Sequence, residues 1–555
     1  MAVEQNSFSV GIDLGTTYSS AAYCSSVINT PTLVQDEAGN KQVASWVSLS
    51  QLDTSGNVVV GNAARNSTYS DCVIYDSKRI IGRNKEEVNY EDRDNWPFEV
   101  KSRDNGSAYI ECYNPKTQDI EEFEPEEISG MILKHMYNIV KRRIGNNTIS
   151  NVVVTVPVDF NDRQRDATLL ACKLAGIKNV ELANEPTAAI VAYKKEYPNS
   201  LKEGDKIVVI DFGGGTLDVT CCNVLDDSTK VESSGGDQNL GGNDFDKVMI
   251  DIIKEKVEEC IEGYYEKKQG MEQKEKITLS KKLIRLKKEA ERIKIELSIK
   301  SNSEINLETL LSDDNDNDEI NIESISRKEF EEECEKRGLY ERFINKIKQV
   351  TQRKGYKRGN VQLVLLIGGT CEMPRIREEV SNLFDIKTFA DKNFNPLTAV
   401  AKGAAYLAYS KGMNSICSKF ICDIVPTPIG IEVEGGMFER LINDGETLPT
   451  NEIKKRYSTT INNQKFAEFN IYKGFSRYVS SNDFITKLRI DGVPEGKTGK
   501  QSFEFTIQYD QNGMMKLTAC VVGTDNRQDL CTVVDLSKKE EEEVEKIFEH
   551  FKQFY

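Results

Sequence analysis

The chain has 555 residues, 38% hydrophobic and 29% charged, with a formal net charge of −16. That length spreads over several domains with sizeable cores, and the acidic balance excludes nucleic acid or an anionic membrane as a main partner, since both recruit a basic face. Only two histidines are present, His135 in a helical stretch and His550 in the charged tail, which argues against Ser-His-Asp or Cys-His nucleophiles and histidine-held metals and leaves carboxylates, lysine, hydroxyls and a hard metal.

In chain order, the first residues lack the basic start and apolar core of a secretory signal, and Glu4 speaks against a transit peptide. No apolar run approaches the ~20 residues that span a bilayer. The last four residues, Lys-Gln-Phe-Tyr, match no retention signal. The 13 cysteines are scattered, odd in number and without a Cys-x-x-Cys pair. They are expected to be free thiols in a reducing, cytoplasmic compartment rather than a disulfide framework or zinc site. Cys221 and Cys222 should face opposite sides of one strand. The acceptor triplets at Asn66, Asn105 and Asn146 matter only in a secreted chain and carry no weight here.

Residues 1 to about 410 alternate strands and helices. Phe8-Ser-Val-Gly-Ile-Asp13-Leu-Gly15-Thr16-Thr17-Tyr18 is an apolar strand leading through a carboxylate into a Gly/Thr turn. Asp76-Ser-Lys78-Arg79 offers a lysine placed to meet phosphate charge. Val152-Val-Val-Thr-Val-Pro157 reads as a buried strand ended by proline, and Asp162 opens a helix. Asn184-Glu185-Pro186 sets a carboxylate at a strand-to-helix turn. Ile207-Val-Val-Ile-Asp211-Phe-Gly213-Gly214-Gly215-Thr216-Leu-Asp218 then repeats the first motif. Leu240-Gly241-Gly242 and Ile367-Gly368-Gly369-Thr370 add glycine turns suited to close approach of a sugar or base. One such Asp-Gly-Thr turn is more often an ordinary structural turn. Two facing each other point to a polyphosphate held between related half-domains, with Mg²⁺ managed by the carboxylates. There is no Gly-x4-Gly-Lys-Ser/Thr loop, which excludes a P-loop enzyme.

Residues 248–298 read as long, charged and helical, and the acidic run 312–319 as a solvated loop rather than a calcium site. Residues 411–424 are linker-like. From 425 to 535, short strands punctuated by proline and glycine fit an antiparallel β-sandwich. Residues 536–555 read as a short helix capped by Ser537 with Glu540 at its third position, with little to pack against.

With these motifs in this order, the chain resembles the DnaK-type heat-shock protein 70 chaperones along essentially all its length. The resemblance implies an α/β ATPase domain of the actin/hexokinase fold (1–410), a linker (411–424), a peptide-binding β-sandwich (425–535) and a lid remnant (536–555). It implies ATP or ADP with Mg²⁺, and K⁺ as a further candidate ion. Gly15, Thr16, Thr17 and Tyr18 would cradle phosphates from one side, and Gly213, Gly214, Gly215 and Thr216 from the other. Asp13, Glu185 and Asp211 would hold the metal largely through waters. Lys78 would be essential for hydrolysis, assisted by Asp218 and Thr216. Gly241, Gly242, Glu291, Lys294, Ser298, Gly368, Gly369 and Thr370 would hold the nucleoside. Pro157, Arg165 and Asp423 would couple the domains. Ile431, Glu434, Tyr457, Thr460, Ala467 and Phe469 would fall on the peptide cleft and its arch. Extended peptides, a J-domain partner and a nucleotide exchange factor follow as partners.

The chain also departs from the family pattern. Ile295 and Glu372 stand where adenine-stacking arginines are usual, and losing both planes removes roughly 1–2 kcal/mol or more of binding. Weaker nucleotide binding is therefore expected. The linker residues 419–423 are less leucine-rich than usual, which weakens expected docking. Glu434 and Ala467 either repack the sandwich core or shift peptide preference toward basic or polar segments. The sequence ends where the helical lid would begin and lacks the acidic tail that tetratricopeptide partners grip, so fast peptide release and no such partner are expected. Two functions stay open: an active chaperone, favoured by Lys78, Glu185, Asp211 and Asp218, and a regulatory or ribosome-associated scaffold, favoured by Ile295, Glu372 and the missing lid. A sugar kinase is disfavoured because a sandwich has no role there.

Overall fold

The computed structural model describes residues 7–52, 58–66, 72–114, 119–225, 228–267, 270–311, 324–386, 393–412, 421–522, 531–535, 539 and 541–555. Two α/β lobes are each organised around the same unit. In the first, Ser7–Asp13 runs parallel to Thr148–Val156 and antiparallel to Tyr18–Ser25, and Val180–Asn184 extends the sheet. Val10 and Ile12 are fully buried, as expected of a strand covered on both faces. Helix Ala399–Gly412 lies so close that a methyl at Gly11 would overlap Ala405 N and Ala401 O, so only glycine fits. In the second lobe, Lys206–Phe212 runs parallel to Leu363–Ile367 and antiparallel to Leu217–Val224. Thr229–Asp237 continues that sheet, and Ile421–Cys422 closes its edge in parallel. Residues 421–422 are thus docked as an added strand. Cys221 and Cys222 enter different cores, as alternation requires.

The charged stretch 248–298 is two helices, not one. Gly242–Glu258 and Gln273–Leu297 are separated by a turn containing Gly263 and Gly270 at φ 69° and 79°, a region glycine tolerates without strain. The acidic run 312–319, together with Ser537 and Glu540, lies outside the described residues.

The C-terminal third holds two antiparallel sheets. One comprises Ile429–Val433, Met437–Ile442, Phe466–Lys473 and Asp483–Asp491; the other comprises Ile453–Ser458, Ser502–Tyr509, Met515–Val522 and Cys531–Asp535. Their inner faces meet through Ile431, Ile471 and Leu488 on one side and Phe503, Phe505 and Leu517 on the other.

Two expectations are corrected. Helix Glu541–Lys552 does have a surface to pack on. Ile547 and Phe551 are buried in the first lobe's core, Val544 and Phe548 pack against it, and the four share one helical face. Charges complete the seat: Lys539 Nζ lies 3.1 Å from both Glu124 and Glu126, and His550 Nδ1 lies 2.7 Å from Glu127 on helix Pro125–Ile144. The free-thiol expectation also fails in part. Cys72 and Cys112 form a disulfide across a 40-residue separation, and Cys520 is disulfide-bonded too. Only the fold brings such distant positions within bonding range, so spacing could not show it. Cys24, Cys172, Cys221, Cys222, Cys260, Cys334 and Cys371 are free, with Cys260 exposed. Among the described residues no helix is long and apolar enough to cross a membrane.

The His550 contact makes helix docking pH-dependent. The bond to Glu127, aided by the charges of Glu121 and Glu124 and opposed by burial, raises the imidazole above its ordinary 6.5. A raised folded-state value means the contribution is complete below the ordinary value and is lost as pH climbs through the raised one. Limited proteolysis at the helix should therefore accelerate from pH 6 to 9 in the native chain, whereas His550→Gln should flatten the profile.

Candidate functional site

The two strand–Asp–Gly/Thr units face each other across the inter-lobe cleft. A methyl on Gly214 would overlap Thr17 Oγ1, and one on Gly215 would overlap Thr16 Oγ1. The backbone is therefore presented without side chains, as close approach to an anion requires. The glycine loop is pinned from behind: Gly242 N donates to Gly213 O at 2.9 Å, Asn243 N to Gly214 O at 2.8 Å, and Gly213 N to Thr216 O at 3.1 Å. Gly15 O accepts from Ser45 Oγ at 2.7 Å.

Asp13 and Asp211 lie at corresponding positions near the ends of the two central strands, Glu185 opens helix Glu185–Glu196, and Asp218 lies on the returning strand. Lys78, in the short turn Ser77–Arg79, places Nζ 2.5 Å from Glu185 Oε1, with both residues under a tenth exposed. Four carboxylates thus surround one ammonium. Burial, then the charge of Glu185, pushes Asp13 up to about 7. Asp211 and Asp218 are raised well above the carboxylate range for the same reasons, in the same order. Asp218 Oδ1 accepts from Val158 N at 3.1 Å, while its buried Oδ2 has no partner. A surplus of buried carboxylates with an orphaned oxygen suits a hard divalent cation. Among the described residues no three of them converge closely enough to share an ion directly, so an ion here would be held through its own waters.

Among the residues expected to hold a nucleoside, Thr370 Oγ1 donates to Gly213 O at 2.9 Å. Lys294 Nζ donates to Gly242 O at 3.0 Å and pairs with Asp246 at 2.6 Å, and Ser298 Oγ caps Lys294 O at 3.2 Å. Gly241 N donates to Asp244 Oδ2 at 2.7 Å. Gly368 takes φ 82°, and Gly369 begins the turn that carries Thr370. Ile295 is 51% exposed, and Glu372 is engaged by Arg377 at 2.7 Å.

Several participants escaped the sequence reading. Arg65 Nη1 donates to Tyr18 OH at 2.6 Å, Arg65 Nη2 reaches Glu291 at 3.0 Å, and Tyr18 OH donates to Glu291 at 2.9 Å, a tie between the lobes. Nothing in the sequence around Arg65 announces it. Arg79, next to Lys78, is buried and reaches Asp92, Asp244 and Gly215 O. Asp76 sits at φ 58° with its carboxylate accepting from Trp96 Nε1 at 3.2 Å and Asn243 Nδ2 at 2.8 Å.

The coupling candidates lie where lobe and sandwich touch. Pro157 O accepts from Phe160 N at 3.3 Å at the end of its strand. Arg165 is buried and donates to Phe160 O (3.0 Å), Val158 O (3.3 Å), Asn184 Oδ1 (3.0 Å) and, across the interface, Asn512 O (3.1 Å). Asn512 Oδ1 accepts from Leu182 N at 3.2 Å, and Asp162 accepts from Met515 N at 2.5 Å. Asp423 accepts from Thr187 Oγ1; burial raises its carboxyl, against the bonds from Thr187 and Asn184 and the charge of Arg165.

The six peptide-cleft candidates divide between core and surface. Ile431, Ala467 and Phe469 face the shared core, because alternation along Phe466–Lys473 sends 467, 469 and 471 inward. Tyr457 rests on Phe469 at 5.7 Å between ring centroids and donates to Glu439, while Glu434 and Thr460 are exposed.

A family model described as Hsp70 protein matches residues 9–555. A heat shock 70 kDa protein of Neurospora crassa is 31% identical over 556 aligned residues, covering 98% of this chain and 80% of that protein. One of Emericella nidulans is 30% identical, with 97% and 80% covered. With that match from residue 9 to residue 555 behind the paired glycine–carboxylate units, the chain belongs to the Hsp70 family.

Proposed function

We propose that the chain is an ATP-dependent chaperone whose two lobes form an actin/hexokinase-like ATPase domain (1–410) joined by a linker to a sandwich that binds extended peptide. The observation that carries this reading is the quartet Asp13, Glu185, Asp211 and Asp218 around Lys78, buried except for the half-buried Asp13, where the Gly15–Thr17 turn faces the glycine loop 213–215. Backbone N–H groups of 15–17 and 213–216 would receive the polyphosphate. Lys78 would leave Glu185 to meet charge building on the transferring phosphoryl group, and Asp218, with its unpartnered oxygen, would orient the attacking water. Asp13, Glu185 and Asp211 would hold Mg²⁺ through water, and that ion would neutralise phosphate charge when bound. Arg165 and Asp423 would carry the nucleotide state to the sandwich, with a J-domain protein and an exchange factor as partners. Hydrolysis of ATP by the purified chain in Mg²⁺, abolished by EDTA and restored by added Mg²⁺, tests this; hydrolysis indifferent to EDTA would contradict it.

Arg65→Ala removes the tie to Tyr18 and Glu291 and should speed nucleotide release by about tenfold, since a buried charge-assisted bond is worth ~1.5–3 kcal/mol. Stopped-flow release of a fluorescent nucleotide measures it. Half-exposed Ile295 and the engagement of Glu372 with Arg377 favour a second reading, a nucleotide-dependent regulator of other chaperones with weak affinity.

A further inference from the structure

We infer that Arg79 is a positioning residue that sets Lys78 by locking the two lobes together, an inference that rests on the ATPase reading above. Its guanidinium, 3% exposed, spans the cleft. Nη1 donates to both Asp92 oxygens at 2.9 and 2.8 Å within its own lobe and to Asp244 Oδ1 at 3.3 Å. Nη2 donates to Asp244 Oδ2 at 2.5 Å and to Gly215 O at 3.1 Å in the opposite lobe. One planar group therefore fixes the residue beside Lys78, the helix Gly242–Glu258 and the glycine loop in a single geometry.

The turn it holds is not self-supporting. It spans three residues, begins at Asp76 in the left-handed region, and is stitched by three backbone bonds, Arg79 N to Asp76 O, Ile80 N to Ser77 O and Ile81 N to Ser77 O, beside own-lobe bonds of Ser77 Oγ to Ser129 Oγ at 3.1 Å and of Trp96 Nε1 to Asp76. Asp76 is itself held by Asn243 of the other lobe. Lobe closure and the placement of Lys78 are thus one event: when the lobes part, both cross-lobe anchors of the turn are lost together.

Lys247 provides the control. It pairs with the same two carboxylates, Asp92 at 2.9 Å and Asp244 at 2.7 Å, so it shares the electrostatic cluster. Among the described residues its partners are the carboxylates of Glu91, Asp92 and Asp244, with no bond to Gly215. If the cluster acted only as structural glue, removing either cation would have similar consequences.

The experiment compares Arg79→Lys with Lys247→Gln in the full chain, reading single-turnover ATP hydrolysis, ATP affinity and hydrogen exchange of the 79–81 amides. Lysine keeps the charge but has no fork to bridge two carboxylates and a carbonyl at once. Arg79→Lys should lower hydrolysis by at least about tenfold while affinity shifts less than about threefold, a loss confined to the chemical step. Exchange at 79–81 should rise by at least about tenfold as local opening becomes easier. Lys247→Gln leaves Asp92 and Asp244 paired with Arg79 and should stay within about threefold of native in all three readouts. Equal losses in the two variants, or native hydrolysis and exchange in Arg79→Lys, would overturn the inference. A native chain that fails to hydrolyse ATP would sink the ATPase reading instead, and the exchange comparison would still decide the role of Arg79. Should Arg79→Lys not fold, Asp92→Asn removes one anchor of the same fork; exchange at 79–81 left at the native level would then overturn the inference.

Discussion

Lys78→Ala is expected to slow single-turnover ATP hydrolysis by about 10²–10³-fold, the scale on which removing one preorganised charge at a developing anion is felt. The same substitution strips the one cation paired, among the described residues, with buried Glu185, and an unpaired buried charge costs about 3–5 kcal/mol. The two effects separate in a double variant. Lys78→Ala with Glu185→Gln should recover much of the thermal stability, because the carboxylate that lost its bonded cation is itself neutralised, yet recover none of the hydrolysis. Thermal melts alongside chemical quench would show this. Recovery of hydrolysis together with stability would mean that Lys78 serves the fold and not the reaction.

Arg165→Ala should leave basal hydrolysis within a few fold of native and abolish its response to peptide. Its guanidinium satisfies four oxygens at once, three in the first lobe and Asn512 O in the loop that carries Met515 onto Asp162. Truncation orphans those acceptors and deletes a direct bond between lobe and sandwich, each lost buried partner costing ~1–3 kcal/mol. Among the described residues Arg165 bonds to Phe160, Val158, Asn184 and Asn512 and to none of the glycine loops or the Lys78 turn, so the reaction should survive in the uncoupled protein. Hydrolysis rates with and without an extended apolar peptide check the prediction, and a variant still stimulated as strongly as the native chain would contradict it.

Much of this was legible in the sequence because it was local. The strands at 148–156 and 206–212 announce themselves by their β-branched runs, and glycine turns follow directly after the strands at 7–13 and 206–212. The sheets of the C-terminal third were legible where alternation is clean, as in Ser502–Tyr509. They were not legible at Ile453–Ser458, an edge strand whose Lys454-Lys455-Arg456 show no apolar alternation and turn their cations to water. The remaining misses are cross-chain events. Arg79 meets Asp244 across 165 positions, Arg65 meets Glu291 across 226, and Cys72 meets Cys112 across 40. No periodicity encodes such meetings. The terminal helix shows a further kind of miss: its apolar face was visible, but the complementary face on Pro125–Ile144 could be matched to it only in three dimensions.

The central claim, that nucleotide held between the lobes controls the sandwich, is tested most directly by the release rate of a fluorescent extended apolar peptide from the purified chain, measured in ATP and in ADP. The account predicts release at least about tenfold faster in ATP than in ADP, a coupling of ~1.4 kcal/mol or more between the two sites. Identical release rates in the two nucleotides, with peptide demonstrably bound, would contradict it.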